Sequence, residues 1–440
     1  MKPTRLLLTA SLLLPLSVNA YPLFGSDELD IRRLEAARLA QEGQIKGRKR
    51  LAGELLSREQ VDVRLLQHRD MQIPPPDPEF TREVMALLGE EADRYSISVL
   101  DLSDPANPRY AEHQGLIPRS PGSIGKLVGA LALFQALADV YPGDPQQRIA
   151  LLRDTSITAD EFIVSDHHKV RLWDPQRQTL SIRPLRIGDR GSLWDFLDWT
   201  LSASSNAAAS TVMQQAMLLR QFGQDYPLSQ EAGQRFFSET PRKALAELRD
   251  ATFLDPLVRN GIDLSQFRQG SFFTRTGKRR VPGIRSYATT RELIHFLLLM
   301  EQGKLVDEFT SRELKRLLYV TERRIRYASS PALNGAAVYF KSGSLYSCRP
   351  EPDFRCKKYH GNKQNLMNSA AIIEAPAGEQ TLHYLVTLTS NVLRKNSAVD
   401  HQTLATRIHR LIQSRHAGNE KGSEPIFDSD PSVDRDEIPE

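Results

Sequence analysis

Ser123 and Lys126 stand three residues apart at the head of a run, Leu127 to Phe134, that is apolar on nearly every face. Ser120-Pro121-Gly122 stops whatever precedes them, so the pattern predicts a buried helix whose first turn carries both side chains. Positions i and i+3 share a helix face, which sets the amine beside the hydroxyl. A serine hydroxyl is a weak nucleophile, and an adjacent amine activates it by taking its proton, provided the amine is neutral part of the time. Burial and the positive end of a helix both disfavour an extra cation and push a lysine that way. Without such a setting the two residues are an N-cap and a solvated first-turn lysine. Gly122 to Leu127 also looks a little like a phosphate loop, but Leu127 stands where that loop needs Ser or Thr to hold magnesium.

The elements that must position this pair lie on both sides of it. Residues 95–102 alternate like a strand, and Asp104 to Pro108 turn into a second strand at 109–113. Residues 191–200 read as a helix that delivers Ser204-Ser205-Asn206 to the start of a second, alanine-rich helix at 207–219. Residues 289–300 and 310–318 read as helices. The strand 336–340 runs into Lys341-Ser342-Gly343-Ser344, followed by strands at 368–374 and 381–389 and a last helix at 398–415. The stretch 141–190 is polar and reads as loops and short strands, and 221–286 is polar and variable. Asp166-His167-His168 within the first is a weak metal candidate, since no further ligand lies at suitable spacing. The basic stretch Arg275 to Arg280 reads as a loop able to meet anionic glycan or lipid headgroups, or as a solvated one.

With 440 residues, 40% hydrophobic and 25% charged, the chain has ordinary globular composition. Residues 1–20 have the n-region, h-region and Val18-Asn19-Ala20 site of a cleavable signal peptide, so the mature chain is expected to start at Tyr21 in the periplasm or outside the cell. No later segment has the roughly 20 apolar residues of a membrane helix. Residues 21–72 read as a helical extension of two or three amphipathic helices, either packed on the main domain or docking a protein partner. Residues 73–78 read as a Pro-rich linker, 79–415 as the main domain and 416–440 as a disordered acidic tail. Cys348 and Cys356 can form a disulfide in an oxidising compartment, with two free thiols as the alternative. A net charge of +4 gives no reason to expect a nucleic-acid partner.

S-x-x-K at Ser123, S-x-N at Ser204 and K-S-G at Lys341 occur in this order, on a buried helix, between two helices and on a strand. The chain thereby resembles the penicillin-recognising serine hydrolases, the class A β-lactamases and the D-alanyl-D-alanine peptidases among penicillin-binding proteins, over roughly residues 79–415. The resemblance implies an α/β (α+β) fold, with an antiparallel sheet flanked by helices and an all-helical subdomain. It also implies Ser123 as nucleophile, Lys126 as base, Ser204 as proton carrier to the leaving nitrogen and Lys341 as added positive charge. Asn206 and Ser342 would bind substrate, Gly343 would allow close approach, and the N–H groups of Ser123 and Ser344 would form an oxyanion hole. The substrate would be a β-lactam or a peptidoglycan stem peptide, with no metal and no cofactor.

The sequence departs from that pattern in four ways. Ser205 stands where the lactamases usually have Asp, and Ser342 where they usually have Thr. The gap between Lys126 and Ser204 is long, which implies an inserted flap beside the cleft. No E-x-x-L-N lies between Asn206 and Lys341, so efficient deacylation has no visible base; Glu247 is the nearest stand-in by position. A second reading is a non-hydrolytic envelope scaffold that holds peptidoglycan in the same cleft.

Overall fold

The computed structural model describes residues 20–417 apart from Arg323 and Gln380. The expected signal peptide, up to Asn19, and the acidic tail beyond Ala417 lie outside the described residues. The chain opens with α1 (Tyr21–Leu29) and α2 (Arg33–Glu42), then runs without long regular structure to α3 (Pro78–Ala86), β1 (Tyr95–Asp101) and β2 (Arg109–His113). A 3₁₀ turn, Gly122–Gly125, leads into α4 (Lys126–Val140). Then follow α5 (Pro145–Asp154), β3 (Ser156–Thr158), β4 (Val170–Asp174), β5 (Thr179–Arg183), β6 (Arg190–Ser192), α6 (Leu193–Leu201) and α7 (Asn206–Phe222). The helices α8 (Gln230–Glu239), α9 (Arg242–Phe253) and α10 (Asp255–Arg259) precede β7 (Phe267–Arg268), α11 (Arg275–Arg280) and β8 (Tyr287–Ala288). The chain closes with α12 (Thr290–Glu301), α13 (Glu308–Tyr319), β9 (Ala337–Ser347), β10 (Gln364–Ala375), β11 (Leu382–Ser390) and α14 (Ser397–His416).

The central sheet is antiparallel in the order β2-β1-β11-β10-β9, so β9 is an edge strand. Period-2 alternation sends successive side chains to opposite faces, and here both faces are covered. Val338, Phe340, Ala371, Ile373, Val386 and Leu388 pack into a core that includes Phe80 of α3 and Ile408 of α14. Tyr339, Ile372, Leu385 and Leu100 enter the larger core with α4, α6, α7, α12 and α13. The architecture is therefore the expected one, an antiparallel sheet between helices with a helical subdomain against it. Within the subdomain α4 is buried all round, with Leu127, Leu131, Leu133 and Phe134 at 0% exposure. Among the described residues, Gly122–Val140 is the one stretch long and apolar enough to cross a membrane, and it lies mostly inside this core.

Two expectations on local structure fail: the polar stretch 141–190 includes the helix α5, and the basic stretch Arg275–Arg280, expected as a loop, is helical. Residues 21–72 form two α-helices, within the two or three expected, and the remainder follows the surface of the main domain. Ile31, Leu34, Leu56, Val61 and Leu65 join the larger core, and Arg33, 3% exposed, grips Asp198 of α6 at 2.5 and 2.6 Å. The polar stretch 221–286 holds four helices. Their apolar stripes are narrow, α9 burying only Leu245, Arg249, Thr252 and Phe253, so hydrophobic periodicity gives little signal. The basic stretch Arg275–Arg280 is itself a short helix capped by Thr274 Oγ1, which accepts from Gly277 N. Cys348 and Cys356 form the disulfide.

Arg33 is the neutralising partner of a fully buried Asp198, and removing one member of such a pair strands the other charge. Arg33→Ala is expected to lower the unfolding free energy of the full chain by about 3–5 kcal/mol in urea titration. A loss within experimental error would mean that residues 20–72 are only loosely attached.

Candidate active site

Ser123 lies in the 3₁₀ turn and Lys126 is the first residue of α4, so the pair stands at the joint between them. Lys126 is 0% exposed. Its Nζ lies 2.8 Å from Ser123 Oγ, 2.7 Å from Ser204 O and 2.7 Å from Asn206 Oδ1, with Ser204 Oγ at 3.4 Å. The carbonyl and amide oxygens can only accept. A neutral amine has two N–H bonds to give them, which leaves its lone pair for the Ser123 hydroxyl. Burial drives the Lys126 amine down to about 7, against the pull of Asp166 and with the help of Arg326. The Phe273 ring beneath it, 4.9 Å from Nζ to centroid, closes that side.

Ser204 joins the two lysines. Its Oγ accepts from Lys341 Nζ at 2.8 Å, and its φ of 59° places a non-glycine residue in the left-handed region. That conformation costs about 1–2 kcal/mol and persists because Lys126 and Lys341 hold both oxygens of the residue. Burial also drives the Lys341 amine far below its usual value, with the charges of Lys126 and Arg326 acting in the same sense. Alternation on β9 sends Lys341 toward Ser204, while Ser342 and Ser344 share the other face. Burial, and then the charge of Arg326, keep Lys126 from holding its proton.

Glycine makes the approach of β9 possible. A Cβ on Gly343 would lie 2.5 Å from Pro121 O and 2.7 Å from Ser123 N. Gly122, at φ +52°, has Ser344 N at 3.3 Å from its own Cβ position. The backbone of β9 at 343–344 thus lies against the turn at 121–123. Asn368 Nδ2 donates to Ser120 O at 3.2 Å and ties the turn to β10.

Three residues at this site escaped the sequence reading. Arg326, at φ 54°, donates to Ser342 Oγ at 2.7 Å, Ser344 Oγ at 3.2 Å and Tyr359 Oη at 2.8 Å, and no carboxylate among the described residues pairs with it. Gln269, 5% exposed, packs on the serine turn so closely that a Cβ on Gly125 would meet its Oε1 at 2.1 Å. Asp166 accepts from Ser205 Oγ at 2.8 Å and from Ala207 N at 2.9 Å. Only Asp166 had a sequence signal, as part of the weighed metal cluster. Its carboxylate is committed to these donors and to His168 Nδ1 at 2.6 Å, while the His167 and His168 rings stack with centroids 4.7 Å apart. Glu247, the stand-in base, is 68% exposed on α9 and pairs with Lys243, away from Ser123. A second acidic group, Glu301, Glu374 and His383, is filled by the Lys315 ammonium at 2.6 Å from each glutamate.

No family model matches the chain, and no curated protein matches it. Among solved structures it is similar to PBP-A, at 10% identity and TM-score 0.48, covering 78% of this chain and 100% of that one. It is also similar to the TLA-3 extended-spectrum β-lactamase, at 12% identity and TM-score 0.47 over 76% of this chain and 98% of that one. A β-lactamase from Chitinophaga pinensis is similar at 14% identity and TM-score 0.46, over 77% of this chain and 98% of that one. Likenesses at this level decide nothing about chemistry; the side chains around Ser123 do.

Gly343→Ala forces β9 away from the serine turn and separates the amides of Ser123 and Ser344. If these amides form the expected oxyanion hole, where one fixed donor is worth about 100-fold or more in rate, the variant should lose at least that factor in labelling of Ser123 by a penicillin, followed by stopped-flow fluorescence. Loss of less than about tenfold would mean the turn and strand need not touch.

Proposed function

We propose that the chain is a periplasmic active-site-serine hydrolase that forms an acyl-enzyme on Ser123 with a β-lactam or a D-alanyl-D-alanine-type peptide. The observation that carries this reading is the Lys126 amine, buried with no carboxylate partner among the described residues and 2.8 Å from Ser123 Oγ. A lysine used only for structure gains nothing from that arrangement, whereas a general base needs it. The expected signal peptide and the Cys348–Cys356 disulfide fit an oxidising compartment outside the cytoplasm.

In this reading Lys126 Nζ takes the Ser123 proton as Oγ bonds to the carbonyl carbon. The oxyanion settles against the amides of Ser123 and Ser344. Ser204, already an acceptor from Lys341, passes its own proton to the leaving nitrogen as the C–N bond breaks, and recovers one from Lys126. Asn206 Oδ1 is taken by Lys126, which leaves its Nδ2 to donate to the substrate. Arg326, held by hydroxyls alone, attracts a substrate carboxylate together with Ser342 and Ser344.

Release is the slow step. Among the described residues no carboxylate bonds to Ser123, Lys126, Ser204 or Lys341, and Gln269, the polar side chain packed against the serine turn, cannot accept a proton from water. The acyl-enzyme is therefore expected to last, as in a peptidase-like or transferase enzyme rather than an efficient β-lactamase.

Two measurements test the reading. The acylation rate should rise with pH through a midpoint near 7, because the neutral form of Lys126 is the base and its amine lies at about 7; a flat profile between pH 5 and 9 would contradict it. Gln269→Glu supplies a carboxylate beside the turn and should shorten the acyl-enzyme lifetime by about 100-fold, the usual scale of general-base catalysis. An unchanged lifetime would show that Gln269 does not face the deacylating water.

A further inference from the structure

Ser205 occupies the middle of the S-x-N element and carries no charge of its own. It is 0% exposed, and its hydroxyl serves as N-cap of α7 while donating to Asp166 Oδ2 at 2.8 Å. The same oxygen accepts Ala207 N at 2.9 Å. Asp166 Oδ1 accepts the backbone N–H of His167 at 2.8 Å and of His168 at 3.1 Å, and meets His168 Nδ1 at 2.6 Å. Asp166 comes from the long segment between α5 and β4, and its side chain is 3% exposed. Its bonds therefore bracket Asn206, and through Ser205 they reach Ser204, the two residues whose oxygens hold the Lys126 amine.

We propose that Asp166 is a positioning residue of the active site: it supplies, from the inserted segment, the carboxylate that the S-x-N element lacks, locking Ser204 and Asn206 against Lys126 and fixing one negative charge near the amine. The proposal builds on Lys126 as the base of the acylation described above.

The charges around Lys126 are few. The Arg326 guanidinium acts on it from the turn beside β9, the Lys341 amine, itself driven down by burial, faces it from β9, and His168 faces it from the segment between α5 and β4; among the described residues Asp166 is the single carboxylate whose charge acts on it. Burial would raise the Asp166 carboxyl, but the bond and charge of His168 and the amides of Ala207 and His168 hold it far below the usual range, so it stays ionised. Burial pushes the His168 ring below its ordinary value, against its bond to Asp166 and with the charge of Lys126 adding to the effect. Asp166 is thus a constant charge that favours the Lys126 ammonium. Removing it makes the amine deprotonate at lower pH, and since the neutral amine is the base, the acid limb of acylation moves to lower pH.

The test compares full-length wild type, Asp166→Asn, Asp166→Glu and Ser205→Ala. Acylation is read from pH 5 to 9 with a fluorescent penicillin and, separately, with a fluorophosphonate that labels activated serines without β-lactam recognition. Asp166→Asn should shift the acid-limb midpoint down by about one pH unit, the usual scale for one nearby opposite charge, and lower the plateau. Asp166→Glu should keep the midpoint. Ser205→Ala should lower the plateau alone, because the charge remains. A wild-type midpoint in Asp166→Asn overturns the proposal and leaves the acylation reading intact, as does a drop in plateau with no shift. If neither probe labels wild-type Ser123, the acylation reading fails and this inference falls with it. If Asp166→Asn does not fold, a midpoint unchanged by Asp166→Ser, which keeps one short acceptor and no charge, overturns the proposal equally.

Discussion

Burying a lysine amine where no carboxylate touches it is costly, and the group answers by giving up its proton rather than by carrying the full desolvation penalty. The Lys126 amine stands in that condition. It sits at the first turn of a helix enclosed on every side, so water cannot shield it, and it touches only oxygens that a neutral amine can also satisfy. The rest of the site follows from this. Ser204 must adopt a left-handed conformation to present both oxygens, α6 and α7 must meet at that residue, and β9 must bring Lys341 to its hydroxyl. The penalty is met by the packing of α4, whose apolar residues lie between the sheet and the helical subdomain.

The second constraint is how close an edge strand can come to a turn. Among the described residues no strand pairs with β9 on its outer side, and a free edge invites adventitious pairing. Here the serine turn covers it, and only glycine at 122 and 343 lets the backbones come so near. Strand-edge protection and amide placement are thus one feature. The ion pairs of residues 20–72, Arg33 with Asp198 and Arg64 with Glu374, fasten the N-terminal segment to α6 and β10, elements that carry the site or lie next to it.

Much of this was legible in the sequence where the signal was local. Alternation marks β1, the turn Asp104 to Pro108 marks its hairpin with β2, and runs rich in apolar residues mark β10 and β11, so these strands fall where the sequence places them to within about four residues. The three motifs met because each sits on a regular element. What remained hidden depends on contacts remote in sequence. Arg326 shows no pattern of its own; only the turn beside β9 brings it to Ser342. Gln269 is one polar residue in a polar stretch, and Asp166 read as part of a histidine cluster because its partner Ser205 lies 39 residues away. Residues 21–72 read as helices because they are rich in Leu, Ala, Glu and Arg, and α1 and α2 form there; that Arg33 and Arg64 reach buried carboxylates of the main domain depends on partners remote in sequence.

The most direct test of the central claim is the mass of the mature protein and its proteolytic peptides after incubation with benzylpenicillin. The account predicts one intact penicilloyl addition, located on the peptide that contains Ser123, persisting for many minutes and absent from Ser123→Ala. An addition on another residue, or none at all while the penicillin survives unchanged, would contradict it.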